Sequence, residues 1–297
     1  MAEYPRISIV VPSYNQGQYI GETLQSLIDQ QYPNLEIIVI DGGSSDNSPD
    51  VIRSYEKHLK YWISEKDSGQ TNAINKGLQQ VTGELFNWLN SDDLLEPGAL
   101  FHLADLVKNY KNKNLFIGKT RFFNDNGTIR NSGPVVFAQP EITLGFGQVN
   151  QPAMFYRTET IKSFLPLNES LQMCMDLDLW MKYLIKYKHD FLHETDFILA
   201  AFRLHDASKT MSGEQPFEKE KNNLYQKLFQ LSPNDAFINK SMSYFYLWNA
   251  DEKALLNDFT ASASNLKKVK FFYLTFSEKK RYLSVKKRII QHSIKSK

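Results

Sequence analysis

The run Asn90-Ser91-Asp92-Asp93 sets two carboxylates side by side. Adjacent carboxylates repel unless a proton or a cation lies between them. Mg²⁺ and Mn²⁺ are typically held by one or two such groups, with water and substrate phosphates completing the shell. Asp92 and Asp93 are therefore candidate ligands for a divalent ion bridging a diphosphate. The plainer alternative is that one of them caps a helix opened at Pro97. The run Asp41-Gly42-Gly43-Ser44-Ser45-Asp46 offers different chemistry. A carboxylate there can accept a nucleobase N–H or a ribose hydroxyl, and the glycines admit close backbone approach. A turn residue satisfying its own loop amides is the alternative. Ser13-Tyr14-Asn15 forms a third polar cluster. Asp67, within Glu65-Lys66-Asp67-Ser68-Gly69-Gln70, reads as a second base contact or as a simple N-cap.

These clusters meet only if the chain delivers them to one rim. Residues 7–11 and 35–40 are short apolar runs of strand type, and Ile20, Leu24, Leu27 and Ile28 recur between them at helical spacing. Ser48 and Pro49 stand as N-cap and first helical residue. Strands are expected at residues 61–63 and 85–89, with a helix carrying Ile74, Leu78 and Val81 between them. Pro97 opens a helix with Leu100, Leu103, Ala104 and Val107 on one face. Apolar strands alternating with helices imply a parallel sheet with right-handed crossovers. Ligands of open α/β sheets sit at the carboxyl ends of strands, where residues 13–15, 41–46 and 90–93 fall. Beyond, residues 115–117 and 120–123 read as strands, Asp125-Asn126-Gly127 as a hairpin turn, and residues 133–151 as a long loop. A helix is expected over residues 176–187, strand and loop over 189–205, and helices from Gln215 onward with a break at Ser232-Pro233. The organisation predicted is a domain of residues 1–213, with halves 1–98 and 99–213, followed by a helical extension over 214–297.

Hydrophobic residues make up 42% and charged residues 23%, which suits a chain that buries a core. The single cysteine, Cys174, excludes an intrachain disulfide and a cysteine-rich zinc site and fits a reducing compartment. No signal pattern opens the chain and no apolar stretch nears the roughly 20 residues of a bilayer span. A soluble cytoplasmic protein is expected, or one held at the inner membrane face. The net charge of +2 conceals an asymmetry. Residues 267–297 carry eleven Lys and Arg against one acid, Glu278, while the rest carries 24 basic and 32 acidic residues. Tyr282, Leu283, Val285, Ile289, Ile290 and Ile294 fall on half of a helical wheel, beside Lys267-Lys268-Val269-Lys270-Phe271-Phe272-Tyr273. That pattern suits an anionic membrane surface; a solvated helix is the alternative. No nucleic-acid-binding motif accompanies the charge, so nucleic acid is not expected as a partner. A P-loop is absent, because Gly42-Gly43-Ser44 lacks its spacing and its Lys, and a dinucleotide fingerprint is absent, because only Gly17 follows the first strand.

In order and spacing, IVVPSYNQGQYIGETLQSL, VIDGGSSDNS, SEKDSGQTNAINKG and LNSDD resemble the nucleotide-binding half of the family 2 glycosyltransferases, over roughly residues 4–98. MDLDLWMKYL (residues 175–184) resembles that family's acidic motif, and FRLHDASKT (residues 202–210) its late Arg-x-His segment. The resemblance implies a GT-A fold, in which a mixed nucleotide-binding sheet is flanked by helices. It also implies inverting, metal-dependent transfer from a nucleotide-diphosphate sugar, UDP by default, to an acceptor hydroxyl. The acceptor would be a saccharide or lipid-linked saccharide, in surface polysaccharide or glycolipid assembly. On the same resemblance Pro12, Ser13, Tyr14, Asn15, Asp41, Gly43, Asp67, Gln70, Asn75, Ser91 and Asp92 contact the nucleotide. Asp92, Asp93 and His205 hold Mn²⁺ or Mg²⁺, with His205 as a neutral imidazole. Arg203 and Lys209 contact the diphosphate, Gln151 faces the acceptor, and Asp176 is the base, with Asp178 as its rival or as an acceptor contact in its place. The family often has Asp where this chain has Asn90, which shifts the metal onto Asp92 and Asp93. Asp178 lies two residues beyond Asp176, about 200° around a helix, so only one of them faces the site. Two rival readings stand beside this one. One is a catalytically silent sugar-nucleotide-binding protein. The other is a nucleotidyltransferase, which would carry a Gly-rich, Arg/Lys-containing loop where this chain has SYNQG.

Overall fold

The computed structural model describes residues 4–133, 135–205 and 214–295. The chain forms two compact units. The first comprises Met1–Pro134, Val149–Lys182 and His189–Glu220, and the second Val135–Gln148, Tyr183–Lys188 and Lys221–Lys297. The second unit thus draws two short pieces from the stretch that the sequence assigns to one domain.

The first unit opens with β1 (Ile7–Ser13), α1 (Ile20–Ile28), β2 (Leu35–Asp41), α2 (Ser48–Ser54), β3 (Tyr61–Ser64), α3 (Gln70–Leu78) and β4 (Leu85–Trp88). β1 pairs in parallel with β2 and β4, and β2 with β3, as the alternation of apolar strands and helices predicts. Every residue of β1 is buried, as expected for a strand covered on both faces. Then come β5 (Leu94–Leu95), α4 (Ala99–Asn109), β6 (Leu115–Asn124) and β7 (Gly127–Ser132). Next is α5 (Pro140–Phe146), a helix of the second unit where the sequence pattern reads as loop. The first unit resumes with β8 (Met154–Arg157), α6 (Thr158–Lys162), the start of α7 (Met175–Tyr187) and β9 (Leu192–Arg203). Among the described residues nine strands form one mixed sheet in the order β3-β2-β1-β4-β8-β6-β9-β5, with β7 on β6. β8 is antiparallel to both β4 and β6, and β6 is parallel to β9. The two reversals leave β9 running in the same direction as β1 to β4. Its carboxyl end, Arg203, therefore reaches the rim where the polar clusters lie.

The core of this unit joins Ile9, Val11, Leu24, Leu27, Leu100, Leu103, Phe116 and Phe155, all fully buried. α3 lies close on β1: a Cβ on Gly77 would sit 2.4 Å from Val10 Cγ1. At the opposite edge of the sheet from the polar rim, Glu36 of β2 accepts bonds from Ser8 Oγ at 2.5 Å, Lys60 Nζ at 2.7 Å and Thr82 Oγ1 at 2.5 Å.

The second unit is helical. α8 (Glu214–Leu231) begins in the first unit and ends in the second, and α9 (Ala236–Leu255), α10 (Phe259–Lys268) and α11 (Phe276–Lys295) follow. Asp235 and Asp258 cap α9 and α10 by accepting the N–H groups of Ile238 and Ala261. Its core gathers Ile142, Tyr244, Leu247, Ala250, Leu266, Leu274 and Val285.

Burial alone would raise the Glu36 carboxyl, but its bonds to Lys60, Ser8 and Thr82 outweigh burial and hold it at about 2. A folded value below the unfolded one contributes stability above the unfolded value, and that contribution is lost as pH falls toward 2. Glu36→Gln is expected to cost about 1–2 kcal/mol at pH 7, allowing for solvent screening. Urea melts should show the deficit shrinking between about pH 4.5 and pH 2.

Candidate functional site

The loops leaving β1 and β2 are laced together. Gly42 N–H donates to the Ser13 carbonyl at 2.8 Å. Asn15 N–H donates to Ser44 Oγ at 2.7 Å, and Ser45 N–H returns a bond to Asn15 Oδ1 at 2.9 Å. Gln16 N–H reaches Ser48 Oγ at 2.9 Å, and Gly17 N–H reaches Asp46 Oδ2 at 3.0 Å. Burial would raise the Asp46 carboxyl, but the Ser48 hydroxyl and the Gly17 and Ser48 amides hold it below the usual range. Asp41 is fully buried. It accepts the Ser44 N–H at 2.9 Å, Ser44 Oγ at 2.5 Å, and Ser64 Oγ, from the end of β3, at 2.6 Å. Its first task is thus to build the loop.

The β3–α3 loop closes the other side. A Cβ on Gly42 would lie 2.9 Å from Asp67 Oδ2. Gly43 has φ +77°, and a Cβ there would meet Lys66 N at 3.0 Å, so neither position tolerates a side chain without movement. Asp67 is half-buried and accepts the Gly69 N–H at 2.8 Å. Beside this corner Tyr14 is 61% exposed, and the buried Ser13 Oγ has no hydrogen-bond partner. Pro12 is buried within β1, and Ser91 is buried in the loop after β4.

A chain of contacts runs from here to β9. Gln70 Nε2, at the start of α3, donates to Asn90 Oδ1 at 2.6 Å, and Asn90 Nδ2 donates to Asp93 Oδ2 at 3.1 Å. Asp93 Oδ1 accepts the Arg203 N–H at 3.0 Å. Asp93 is 1% exposed, and burial, with the neighbouring Asp92 charge, pushes its carboxyl well above the usual range. Asp92 Oδ2 lies 2.9 Å from His205 Nε2, and the His205 ring packs on Tyr19 with centroids 4.6 Å apart. Arg203 Nε donates to the Asp92 carbonyl at 3.0 Å, and its Nη2 pairs with Glu22 Oε2 of α1 at 2.5 Å. The guanidinium also lies over the rings of Tyr19 and Phe123.

Two expectations change in detail. The Asp93 carboxylate faces into the protein, because a buried carboxylate must find donors and the Asn90 amide and Arg203 N–H supply them. Arg203 reaches the rim but commits its guanidinium to Glu22 and the Asp92 carbonyl. Asp92 and His205 remain as a pair with ligand chemistry. Among the described residues no three His, Cys, Asp or Glu side chains gather as a metal site. Lys209 lies outside the described residues.

Asp176 stands in the first turn of α7, half-buried, its Oδ1 accepting the Leu177 N–H at 2.7 Å. Asp178 pairs with Lys182 at 2.7 Å. Glu220 of α8 accepts the N–H groups of Gln172, Met173 and Cys174 at 2.9, 2.7 and 2.7 Å, and so fixes the turn that places Asp176. Glu169 braces the same loop against α3 through Asn75, Asn72 and Ser68. Bonds from Asn75 and Asn72 hold its carboxyl below the usual range. Asn75 also bonds both backbone groups of Leu167, so it positions this loop. Gln151 is buried, and its Nε2 donates to Asn87 Oδ1 at 2.9 Å and the Trp88 carbonyl at 2.7 Å, so that amide braces β4. Tyr19, Glu22, Glu169 and Glu220 are absent from the sequence reading. Each acts through a partner distant in the chain, and none carries a local signal.

The sequence model of glycosyl transferase family 2 matches residues 8–163. An uncharacterized glycosyltransferase of Rickettsia typhi is 28% identical over 227 residues, which cover 72% of this chain and 69% of that relative. A longer one from Rickettsia conorii is 28% identical over 81% of this chain but only 41% of its own length, so this chain spans less than half of that protein. S. aureus TarS 1-349 in complex with UDP-GlcNAc has a TM-score of 0.68 at 19% identity, covering 97% of this chain and 92% of that one. The mannosyltransferase PcManGT from Pyrobaculum calidifontis, in complex with GDP-Man and Mn²⁺, gives 0.61 at 15% identity over 98% and 87%. The fold is the GT-A fold.

Arg203→Ala strips Glu22 and the Asp92 carbonyl of a partner and should cost about 2–4 kcal/mol of stability in urea unfolding. Arg203→Lys keeps the charge without the fork and should recover less than half of the loss. A loss of nucleotide affinity at unchanged stability would assign Arg203 to the ligand instead.

Proposed function

The chain belongs to glycosyl transferase family 2, and from that premise we propose that it is an inverting transferase carrying a sugar from a UDP-sugar to a hydroxyl of a saccharide or lipid-linked saccharide. The observation that carries the reading is the Asp92–His205 pair at 2.9 Å, at the rim where the β1, β2 and β3 loops form one corner. In that corner Asp67 is an acceptor for a base N–H or ribose hydroxyl, and the buried Asp41 sets the loop beside it. Tyr14 is a flat exposed surface beside them, and the Ser13 hydroxyl is a group in want of a partner.

A carboxylate and an imidazole fit Mn²⁺ or Mg²⁺, two protein ligands leaving room for diphosphate oxygens. What such an ion supplies when bound is neutralisation of charge on the leaving diphosphate. Asp93 does not ligate in this reading. Its carboxyl, driven toward the neutral form, holds Asn90 and the end of β9 in place. Asp176 takes the proton of the acceptor hydroxyl, whose oxygen attacks the anomeric carbon opposite the diphosphate. The new C–O bond forms as the bond to the diphosphate breaks, the diphosphate keeps the electron pair, and the configuration inverts. Mn²⁺ beside a nucleotide sugar in PcManGT supports the metal part. Since TarS binds UDP-GlcNAc and PcManGT binds GDP-Man, the fold accepts either base, and UDP is the choice to be tested.

A thermal-shift series with UDP, GDP and dTDP, with and without Mn²⁺, is expected to give its largest metal-dependent rise with UDP. A ligand at a hundred times its Kd adds about 2.7 kcal/mol to folded stability. Asp92→Ala should erase the metal-dependent part of that rise. Asp176→Asn should keep donor binding and lower kcat about 10²–10⁴-fold in a sugar-transfer assay. Nucleotide binding with no turnover for any acceptor, in the unaltered chain, would instead mark a silent sugar-nucleotide-binding protein.

A further inference from the structure

α11 has two unlike faces. Val285 is fully buried in the helical core, with Tyr282 and Ile289 packed against it. On the same side Arg281 pairs with Asp251 at 2.7 Å and lies 3.7 Å from the centre of the Trp248 ring. Arg288 pairs with the same Asp251, and the buried Glu278 also turns inward. Opposite them Phe276, Leu283, Ile290 and Ile294 are 75%, 56%, 49% and 69% exposed. At 100° per residue these four fall within roughly 40° of one another and form one stripe. Lys280 and Lys287 border the stripe on one side, Lys279 and Lys286 on the other. The inward and outward sets differ from the sequence grouping, which placed Tyr282, Val285 and Ile289 with Leu283, Ile290 and Ile294.

We propose that this outer face of α11 docks on an anionic lipid bilayer. Four aligned apolar side chains in water mark an interaction surface, whereas isolated ones do not. The lysine borders choose the occupant. The only acid of residues 267–297 is Glu278, which points away, so the face is purely cationic and complements a negative surface. A second copy presenting the same stripe would meet its own lysines. No helix among the described residues is long and apolar enough to cross a membrane, so α11 lies along the headgroup boundary with the stripe inserted. Phe272, 72% exposed in the turn before α11, adds an aromatic at the same end. The inference stands apart from the transferase reading and uses none of its residues.

The test is co-sedimentation of the full chain with vesicles of phosphatidylcholine alone or phosphatidylcholine with one quarter phosphatidylglycerol. Binding to the anionic vesicles should be at least tenfold tighter and should fall in 0.5 M salt, each lysine near the surface contributing about fivefold. Phe276→Ser with Leu283→Ser, and separately Lys280→Glu with Lys287→Glu, should each weaken it at least tenfold at unchanged melting temperature. Phe276→Trp, which removes no apolar contact, should shift its emission to the blue when anionic vesicles are added. Equal partition onto both vesicle types, no blue shift, or sedimentation showing that a second copy of the chain covers the stripe would overturn the proposal.

Discussion

A guanidinium taken out of water must be paired, and in this protein the pairing of Arg203 draws three distant segments together. Arg203 ends β9, its side chain reaches Glu22 on α1 and the Asp92 carbonyl after β4, and its own N–H is taken by Asp93. Tyr19 and Phe123 supply ring faces that shield the charge further. The consequence is positional. His205, two residues beyond, is set against Asp92, and both come to the rim of the sheet. Under the proposed function, a carboxylate–imidazole pair set by the fold in advance costs no reorganisation when a charged ligand arrives.

The corner formed by the loops after β1 and β2 follows a related logic with neutral groups. Asp41 is buried and would be costly alone, but the hydroxyls of Ser44 and Ser64 and one amide satisfy it. Those bonds fix the loop in which Gly42 and Gly43 let the Asp67 segment approach. Gln70 and Asn90 tie the start of α3 to the Asp93–Arg203 contact by a short path of hydrogen bonds. The position of Asn90, where the family often has Asp, makes sense in this frame. An amide can accept from Gln70 and donate to Asp93 at once, whereas an ionised carboxylate can only accept.

β1, β2 and β4 were legible because burial leaves nearly continuous apolar runs in the sequence, and the edge strand β3 because Tyr61, Trp62 and Ile63 form a short run of strand type. β6 was read as two strands because Gly118 and Lys119 interrupt it. The structure explains the interruption: a Cβ on Gly118 would lie 2.4 Å from Leu199 Cγ, where the register with β9 shifts. α5 escaped because it is seven residues long, begins at Pro140 and ends before Gly147 in the left-handed region, so its signals resemble those of a loop. In the candidate site, Asp92 and His205 were singled out by their chemistry, and the structure sets them 2.9 Å apart. The turning of Asp93 and Arg203 into the protein was not legible, because Asp93 answers to the Arg203 N–H, 110 positions away, and Arg203 to Glu22, 181 positions away. The period of α11 was visible but its phase was not, since Asp251 and Trp248 decide which side turns inward.

Under the proposed function, one rim gathers the base of the donor and a divalent ion around a single diphosphate. Crystals grown with UDP and Mn²⁺ test it directly, through the anomalous difference map of manganese. One strong peak in contact with Asp92 and His205 is expected, with density for the base beside Tyr14 and Asp67. A manganese peak away from Asp92, or a base bound outside the loops after β1, β2 and β3, would contradict it.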